Sequence, residues 1–301
     1  MNDLPLVSII VITYNSSKFI LETLESAYQQ SYDKLELIIS DDFSTDNTIE
    51  ICGNWVEGHS ERFERVEIVK AERNTGIASN CNRGLDAAKG SWLKFIAGDD
   101  ILLHDCITDF IGFINENPSA QIIVGGLILF NEKCNWEWFP QTAFQKATAK
   151  EQFRFQIRKG TAILGPATII KRETLVNLRG FNENYQFIED YPFYVKASQN
   201  NIKIFPLKKI IIRYRIHTNS ISQGDNSKFI TCYSKYVREV IYPLSFKEKM
   251  YFFFWHQKVE YYLHDRIKQF PFNSRFIRFI IVGLIDPYKY YLKACRLFDK
   301  I

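Results

Sequence analysis

The 301-residue chain contains no Cys-x-x-Cys pair. Its six cysteines, Cys52, Cys81, Cys106, Cys134, Cys232 and Cys295, are scattered. That spacing argues against a disulfide framework or a structural zinc site and points to a reducing compartment, the cytoplasm. No stretch reaches the roughly 18 uninterrupted apolar residues of a membrane span. The N-terminus enters strand-like sequence without the basic region and apolar block of a secretory signal. Neither Gly-x-Gly-x-x-Gly nor Gly-x-x-x-x-Gly-Lys-Ser/Thr occurs, which argues against dinucleotide and P-loop binding. Internal repeats and low-complexity runs are also missing.

What is present is ample for one large core, or a core with an appendage: 46% of residues are hydrophobic and 24% charged. The net charge of +4 is unevenly spread. Residues 241–301 hold eleven Lys/Arg against five Asp/Glu, so the preceding 240 are slightly acidic. The asymmetry suggests an anionic partner for the tail. No nucleic-acid partner is expected.

Strand and helix alternate four times in the first hundred residues. Leu6 to Tyr14 is β-branched and apolar, as a central parallel strand should be. Lys18 to Gln30 places Ile20, Leu24, Ala27 and Tyr28 at helical spacing. Leu35 to Ser40 predicts a second strand closed by Asp41-Asp42, and Ser44 or Thr45 can cap a helix running to about Gly58. Val66 to Ala71 reads as a third strand, and Ile77, Cys81, Leu85 and Ala88 line a helix that stops at Gly90. Trp92 to Ala97 is the fourth strand. Such alternation calls for an α/β fold, a doubly wound, mostly parallel sheet with helices on its faces.

Beyond Asp100 the rhythm loosens. A helix is expected over Asp105 to Asn117 and a strand over Gln121 to Phe130. Glu132 to Phe155 has no clean period and reads as a long functional loop. Thr161 to Ile170 looks strand-like despite Gly165-Pro166. Helices follow over Arg172 to Leu178 and from Glu189-Asp190 to about Asn200. Two strands, Ile202–Phe205 and Ile210–Ile216, lead to His217. The division expected is 1–225 as the sheet domain and 226–301 as a helical, basic, aromatic-rich region. Its runs at 251–255 and 276–285 suit either a helix in a lipid headgroup layer or an appendage packed on the core.

The stretch Lys94 to Asp100 organises the chemistry. A buried strand ends in Gly98 and two adjacent carboxylates, at the edge where parallel strands present ligands. Leaving both ionised is natural if they hold a hard divalent cation such as Mg²⁺ or Mn²⁺. A solvated turn with a helix cap is the alternative. Asp42 and Asp190 belong to the same edge. Of Asp41 and Asp42, one should face the crevice and the other support the loop, because neighbouring strand residues point to opposite faces. Tyr14 can stack on a planar base or pack in the core.

With these residues in hand, the chain resembles a family 2 glycosyltransferase of the GT-A fold over about residues 6–220. The matching segments are Val7 to Asn15, Asp41 to Thr48, Asn74-Thr75-Gly76, Asn82-Arg83-Gly84, the run to Asp99-Asp100, and Glu189-Asp190-Tyr191. The resemblance implies transfer of a sugar from a nucleotide-sugar to an acceptor hydroxyl, usually with inversion. It implies that Thr13, Tyr14, Asn15, Asp42, Asn74 and Asp99 bind the nucleotide-sugar, with Tyr14 and Asp42 at the nucleobase. Asp99 contacts ribose or metal, Asp100 binds Mn²⁺ or Mg²⁺, and His217 is a third ligand, a phosphate contact or a structural hydrogen bond. Asp190 is the implied general base.

Two departures stand out: Ala97 where an Asp usually opens the metal motif, and Cys81 where an Arg often precedes the Asn. At Cys81 a phosphate contact is either lost or taken over by Arg83. UDP is the expected nucleotide. The acceptor is expected to be a saccharide or lipid-linked, with peripheral contact to the inner face of the membrane through 241–301. A non-catalytic nucleotide-sugar-binding scaffold is the competing expectation. A glycosidase would also use two carboxylates but has no use for a nucleobase pocket. A receiver-like domain would need an acidic pair after the first strand, where Tyr14-Asn15 stands.

Overall fold

The computed structural model describes residues 4–133, 135–217 and 227–250. The chain divides into two compact units, Met1–Tyr233 and Ser234–Ile301. Most of the second unit, including the aromatic runs at 251–255 and 276–285, lies outside the described residues. Among the described residues no helix is long and apolar enough to cross a membrane.

The alternating pattern builds the first half. Strand β1 (Val7–Thr13), helix α1 (Ile20–Tyr28), β2 (Leu35–Asp41), α2 (Thr48–His59), β3 (Arg65–Lys70), α3 (Ile77–Ala87) and β4 (Trp92–Ala97) follow in sequence. The strands pair in parallel in the order β3-β2-β1-β4. Register sets Thr13 opposite Asp41, and Ile12 opposite Ala97, so the three strand ends share one edge. β1 and β2 are buried almost along their whole length because helices cover the sheet.

The second half is mixed. It contains β5 (Ile101–Leu102), α4 (Cys106–Glu116), β6 (Ile122–Phe130), β7 (Asn135–Trp138), α5 (Thr142–Gln145), α6 (Ala149–Lys159), β8 (Thr168–Lys171), α7 (Arg172–Asn177), α8 (Asp190–Gln199) and β9 (Ile204–Arg215). The sheet continues from β4 as β8-β6-β9-β5, with β7 paired to β6. Only β6 and β9 run parallel there; the other pairs are antiparallel. Helix α9 (Ser227–Tyr236) crosses the division between the units, and α10 (Tyr242–Lys247) follows a π-helical turn in the second.

Three expectations need correction. The loop expected over 132–155 holds β7, α5 and the first turns of α6. Helix α6 hid because its buried face is partly polar. Gln152 exchanges hydrogen bonds with the backbone of Ile204, and Gln156 donates to Ser198 Oγ at 2.8 Å. The capping box Thr148–Glu151 that starts it was nonetheless in the sequence. The strand expected over 161–170 shrinks to β8, since Gly165-Pro166-Ala167 forms a 3₁₀ turn and Pro166 has no N–H for a ladder. The two strands before His217 merge into β9, with its register against β6 shifted between Val124 and Leu127 just where Pro206 interrupts the donors.

At the edge opposite the strand ends, buried Glu36 ties the sheet together. It accepts from Gly90 N–H at 2.7 Å, from Ser8 and Lys89, and from Arg65 at 3.1 Å. Gly90 fits there because the backbone passes close: a Cβ would lie 2.6 Å from Ser8 N and 2.9 Å from Leu6 O. Gly90→Ala should therefore lower stability by about 1–3 kcal/mol, as overpacking does. Urea denaturation checks this, and an unchanged midpoint would show that the backbone yields at no cost.

Candidate active site

The carboxyl end of β2, beside that of β1, carries two buried aspartates with different partners. Asp41 accepts from Thr13 Oγ1 at 2.8 Å, from Ser44 N–H at 2.8 Å and from the Ser44 hydroxyl. Asp42 accepts from Thr75 N–H at 3.0 Å, Thr75 Oγ1 at 2.6 Å and Gly76 N–H at 2.7 Å, and Arg83 stands 3.6 Å away. Both carboxylates thus work inside the protein, where one was expected to face the crevice. Asp42 fastens the segment after β3 that carries Asn74, which is exposed. Gly76 is required in that segment. Its φ is +90°, and a Cβ would meet Gln186 at 2.8 Å.

Thr13 is buried with its hydroxyl committed to Asp41, so its side chain supports the site from beneath. Tyr14 is half exposed, and Asn15 is exposed with Oδ1 accepting from Thr45 N–H at 2.8 Å. Arg83 donates to Asn80 Oδ1 at 2.7 Å and Thr75 Oγ1 at 3.0 Å. Its guanidinium thus braces the Asp42 loop.

At the end of β4 the two carboxylates diverge. Asp99 Oδ2 lies 2.8 Å from His217 Nε2, with both side chains about a quarter exposed. Asp100 is buried; its Oδ1 accepts from Arg215 N–H at 2.8 Å, while Oδ2 has no hydrogen-bond partner. Burial, and then the Asp99 charge, push the Asp100 carboxyl well above the usual carboxylate range, against the pull of Arg215 and Lys94. Arg215 also donates to Asp99 O at 2.8 Å and Glu22 at 2.8 Å, and lies over the rings of Phe19 and Phe130.

Among the described residues no three His, Cys, Asp or Glu side chains converge on one point. The donor set still fits a hard cation that takes its other ligands from water and phosphate, as Mg²⁺ commonly does. Asp99 and His217 would supply an oxygen and a nitrogen, and a cation would give the orphaned oxygen of Asp100 a partner.

Asp190 opens α8 beside the 3₁₀ turn. Its carboxylate accepts from Tyr191 N–H at 2.6 Å and Gly165 N–H at 3.3 Å. Desolvation raises its pKa, and Glu189 is pushed up to about 8 by burial and by the Asp190 charge. Glu189, Asp190 and Asp42 all act on the buried thiol of Cys81, which burial first and then these charges hold protonated. The base candidate and the Asp42 loop therefore share one neighbourhood. Lys94, buried in β4, donates to Phe95 O at 2.9 Å and to Pro166 O, and so ties β4 to the turn that touches Asp190. Sequence reasoning missed Lys94 and Arg215, although a lysine inside an apolar strand is itself a signal of a specific buried partner.

Comparison with known proteins fits this geometry. The family model described as Glycosyl transferase family 2 matches residues 8–178. Glycosyltransferase GlyG of Streptococcus pneumoniae is 27% identical over 232 residues, covering 73% of this chain and 74% of the relative. The putative teichuronic acid biosynthesis glycosyltransferase TuaG of Bacillus subtilis is 26% identical over 221 residues, covering 73% and 82%. Among solved structures, S. aureus TarS 1-349 in complex with UDP superposes with a TM-score of 0.58 at 24% identity, over 75% of this chain. The mannosyltransferase PcManGT from Pyrobaculum calidifontis, in complex with GDP-Man and Mn²⁺, gives 0.58 at 20% identity, over 79% of this chain. The chain spans 62% of the TarS fragment and 66% of the mannosyltransferase, and at these identities the likeness establishes the GT-A fold.

The raised Glu189 has a consequence for stability. A carboxyl with a folded pKa above its unfolded value binds extra protons in the native state, so its contribution is present at low pH and is lost as pH rises between the two values. With Glu189 near 8 against an ordinary 4.5, that window is roughly pH 4.5–8. Glu189→Gln should gain thermal stability relative to the parent as pH rises from 5 to 8. Melting curves across that range check this; a constant difference would show that Glu189 ionises normally.

Proposed function

Because this chain belongs to the family 2 glycosyltransferases, we propose that it moves a sugar from a UDP-linked donor to a hydroxyl of a saccharide or lipid-linked acceptor, with inversion. The observation that carries the proposal is the pairing of sites on one sheet edge. A desolvated carboxylate, Asp190, stands at a helix start, and the carboxylate–imidazole pair of Asp99 and His217 stands at the end of β4. General-base chemistry needs the first and diphosphate recognition needs the second.

In this proposal Tyr14 meets the nucleobase, and Asp42 fixes the wall of its pocket through Thr75 and Gly76. Asn15 and Asn74 border the nucleotide, and Asp99 faces the ribose or the metal. Asp99, Asp100 and His217 would hold Mn²⁺ or Mg²⁺, which supplies Lewis-acid stabilisation of the charge on the leaving diphosphate when bound. Asp190 takes the proton of the acceptor hydroxyl, whose oxygen attacks the anomeric carbon on the face away from the nucleotide. Burial raises the basicity of Asp190, and the Gly165 and Tyr191 N–H groups keep it oriented. The similarity to TuaG, named for teichuronic acid biosynthesis, supports surface polysaccharide synthesis as the setting.

Asp190→Asn should cut turnover by roughly 10²- to 10⁴-fold while leaving the donor dissociation constant unchanged. A panel of nucleotide-sugars assayed for donor hydrolysis with Mn²⁺ identifies the substrate for that measurement. Normal turnover by the variant would remove Asp190 from the role of base.

The excess positive charge of residues 241–301 supports a further part of the proposal, peripheral contact with an anionic membrane surface on the cytoplasmic side. The full chain should pellet with vesicles rich in phosphatidylglycerol and stay in the supernatant with pure phosphatidylcholine. Equal behaviour towards both would assign the tail another purpose.

A further inference from the structure

Five non-glycine residues among those described have a positive φ: Asn15, Phe43, Arg179, Asn201 and Lys249. Three of them need no special account. Arg179, Asn201 and Lys249 each stand just past the C-cap of a helix, α7, α8 and α10, where a left-handed residue is common. Asn tolerates this conformation, which leaves Phe43, with φ +69°, as the costly one.

Phe43 gains little in return. Its side chain is 48% exposed, so burial does not offset the strain, and glycine would sit there freely. Its conformation is nonetheless tightly determined. On one side Asp42 is fastened to Thr75 and Gly76. On the other, Ser44 N–H donates to Asp41 at 2.8 Å, and the Ser44 hydroxyl accepts from Asn15 N–H at 2.8 Å. Thr45 N–H closes the link by donating to Asn15 Oδ1 at 2.8 Å. The loops after β1 and β2 are thereby zipped together, with one exposed aromatic on each: Tyr14 at 50% and Phe43 at 48%. Parallel neighbouring strands lie about 4.8 Å apart. Neither ring stacks on another aromatic side chain among the described residues. Backbone strain that local hydrogen bonds enforce, and that packing does not repay, is the mark of a side chain held out for a ligand.

We propose that Phe43 is a stacking residue for the nucleobase of the donor, working with Tyr14 across the zipped strand ends. The proposal rests on the nucleotide-sugar reading above and assigns it a further specificity-determining contact. The ring supplies a flat apolar face to a planar heterocycle and has no stake in the diphosphate.

Calorimetry on the full chain with UDP, and separately with inorganic pyrophosphate, both with Mg²⁺, tests this. Phe43→Gly should weaken UDP binding roughly 5- to 100-fold, the range for loss of one base–aromatic stack, and leave pyrophosphate binding unchanged. Its melting temperature should hold or rise by up to about 4 °C, because the strained backbone is relieved. Phe43→Tyr should keep the parent affinity. Unchanged UDP affinity in Phe43→Gly overturns the proposal while leaving nucleotide binding intact. Parallel loss of UDP and pyrophosphate binding, or a lower melting temperature, also overturns it by assigning Phe43 a structural role. If the parent protein binds no nucleoside diphosphate, the donor-site reading and this inference fall together.

Discussion

Arg215 holds the edge with the candidate site together. Its backbone N–H meets Asp100, its guanidinium meets the carbonyl of Asp99 and the carboxylate of Glu22, and Phe19 and Phe130 cover its faces. Without that clamp two adjacent carboxylates would stand at the end of a buried strand with only Lys94 and His217 to set against their mutual repulsion. With it, the Asp99-Asp100 turn is fixed to the end of β9 and to α1, and His217 arrives two residues later beside Asp99. Elements far apart in the chain thus meet at one side chain.

The second constraint is desolvation around Glu189 and Asp190. Glu189 and Asp190 stand together where burial disfavours both charges, and the buried Cys81 thiol near them brings no positive charge. A cation there would have lowered the pKa of Asp190 and made it a weaker base. The thiol leaves the carboxylates uncompensated, and Lys94 acts at one remove by gripping the turn whose Gly165 N–H touches Asp190. Raised basicity and fixed orientation then come from separate parts of the fold.

Much of the first hundred residues was legible because each local pattern agreed with the global one. Apolar runs of strand length alternated with helical spacing, and Asp and Gly marked the ends. Beyond Asp100 the agreement failed for identifiable reasons. Helix α6 buries Gln152 and Gln156 through paired hydrogen bonds, so its inner face did not look apolar. β9 carries Pro206 and a register shift that split it in the sequence. Motifs named Asp42, Asp99 and Asp190 but could not say that Asp42 spends its oxygens on Thr75 and Gly76. Nor could they single out Arg215, whose importance lies in contacts with residues 19, 22, 99, 100 and 130. The left-handed turn at Phe43 was hidden too, since a bulky aromatic is the last residue that local rules would put there.

The proposed reaction is one displacement at the sugar, with Asp190 on one face and the nucleotide leaving from the other. The anomeric configuration of the transferred sugar, read from its proton coupling by NMR in the purified product, measures this directly. An α-linked nucleotide-sugar should yield a β-linked product. An α-linked product would mean two displacements or a retaining front-face route, and Asp190 as a simple base would then be excluded.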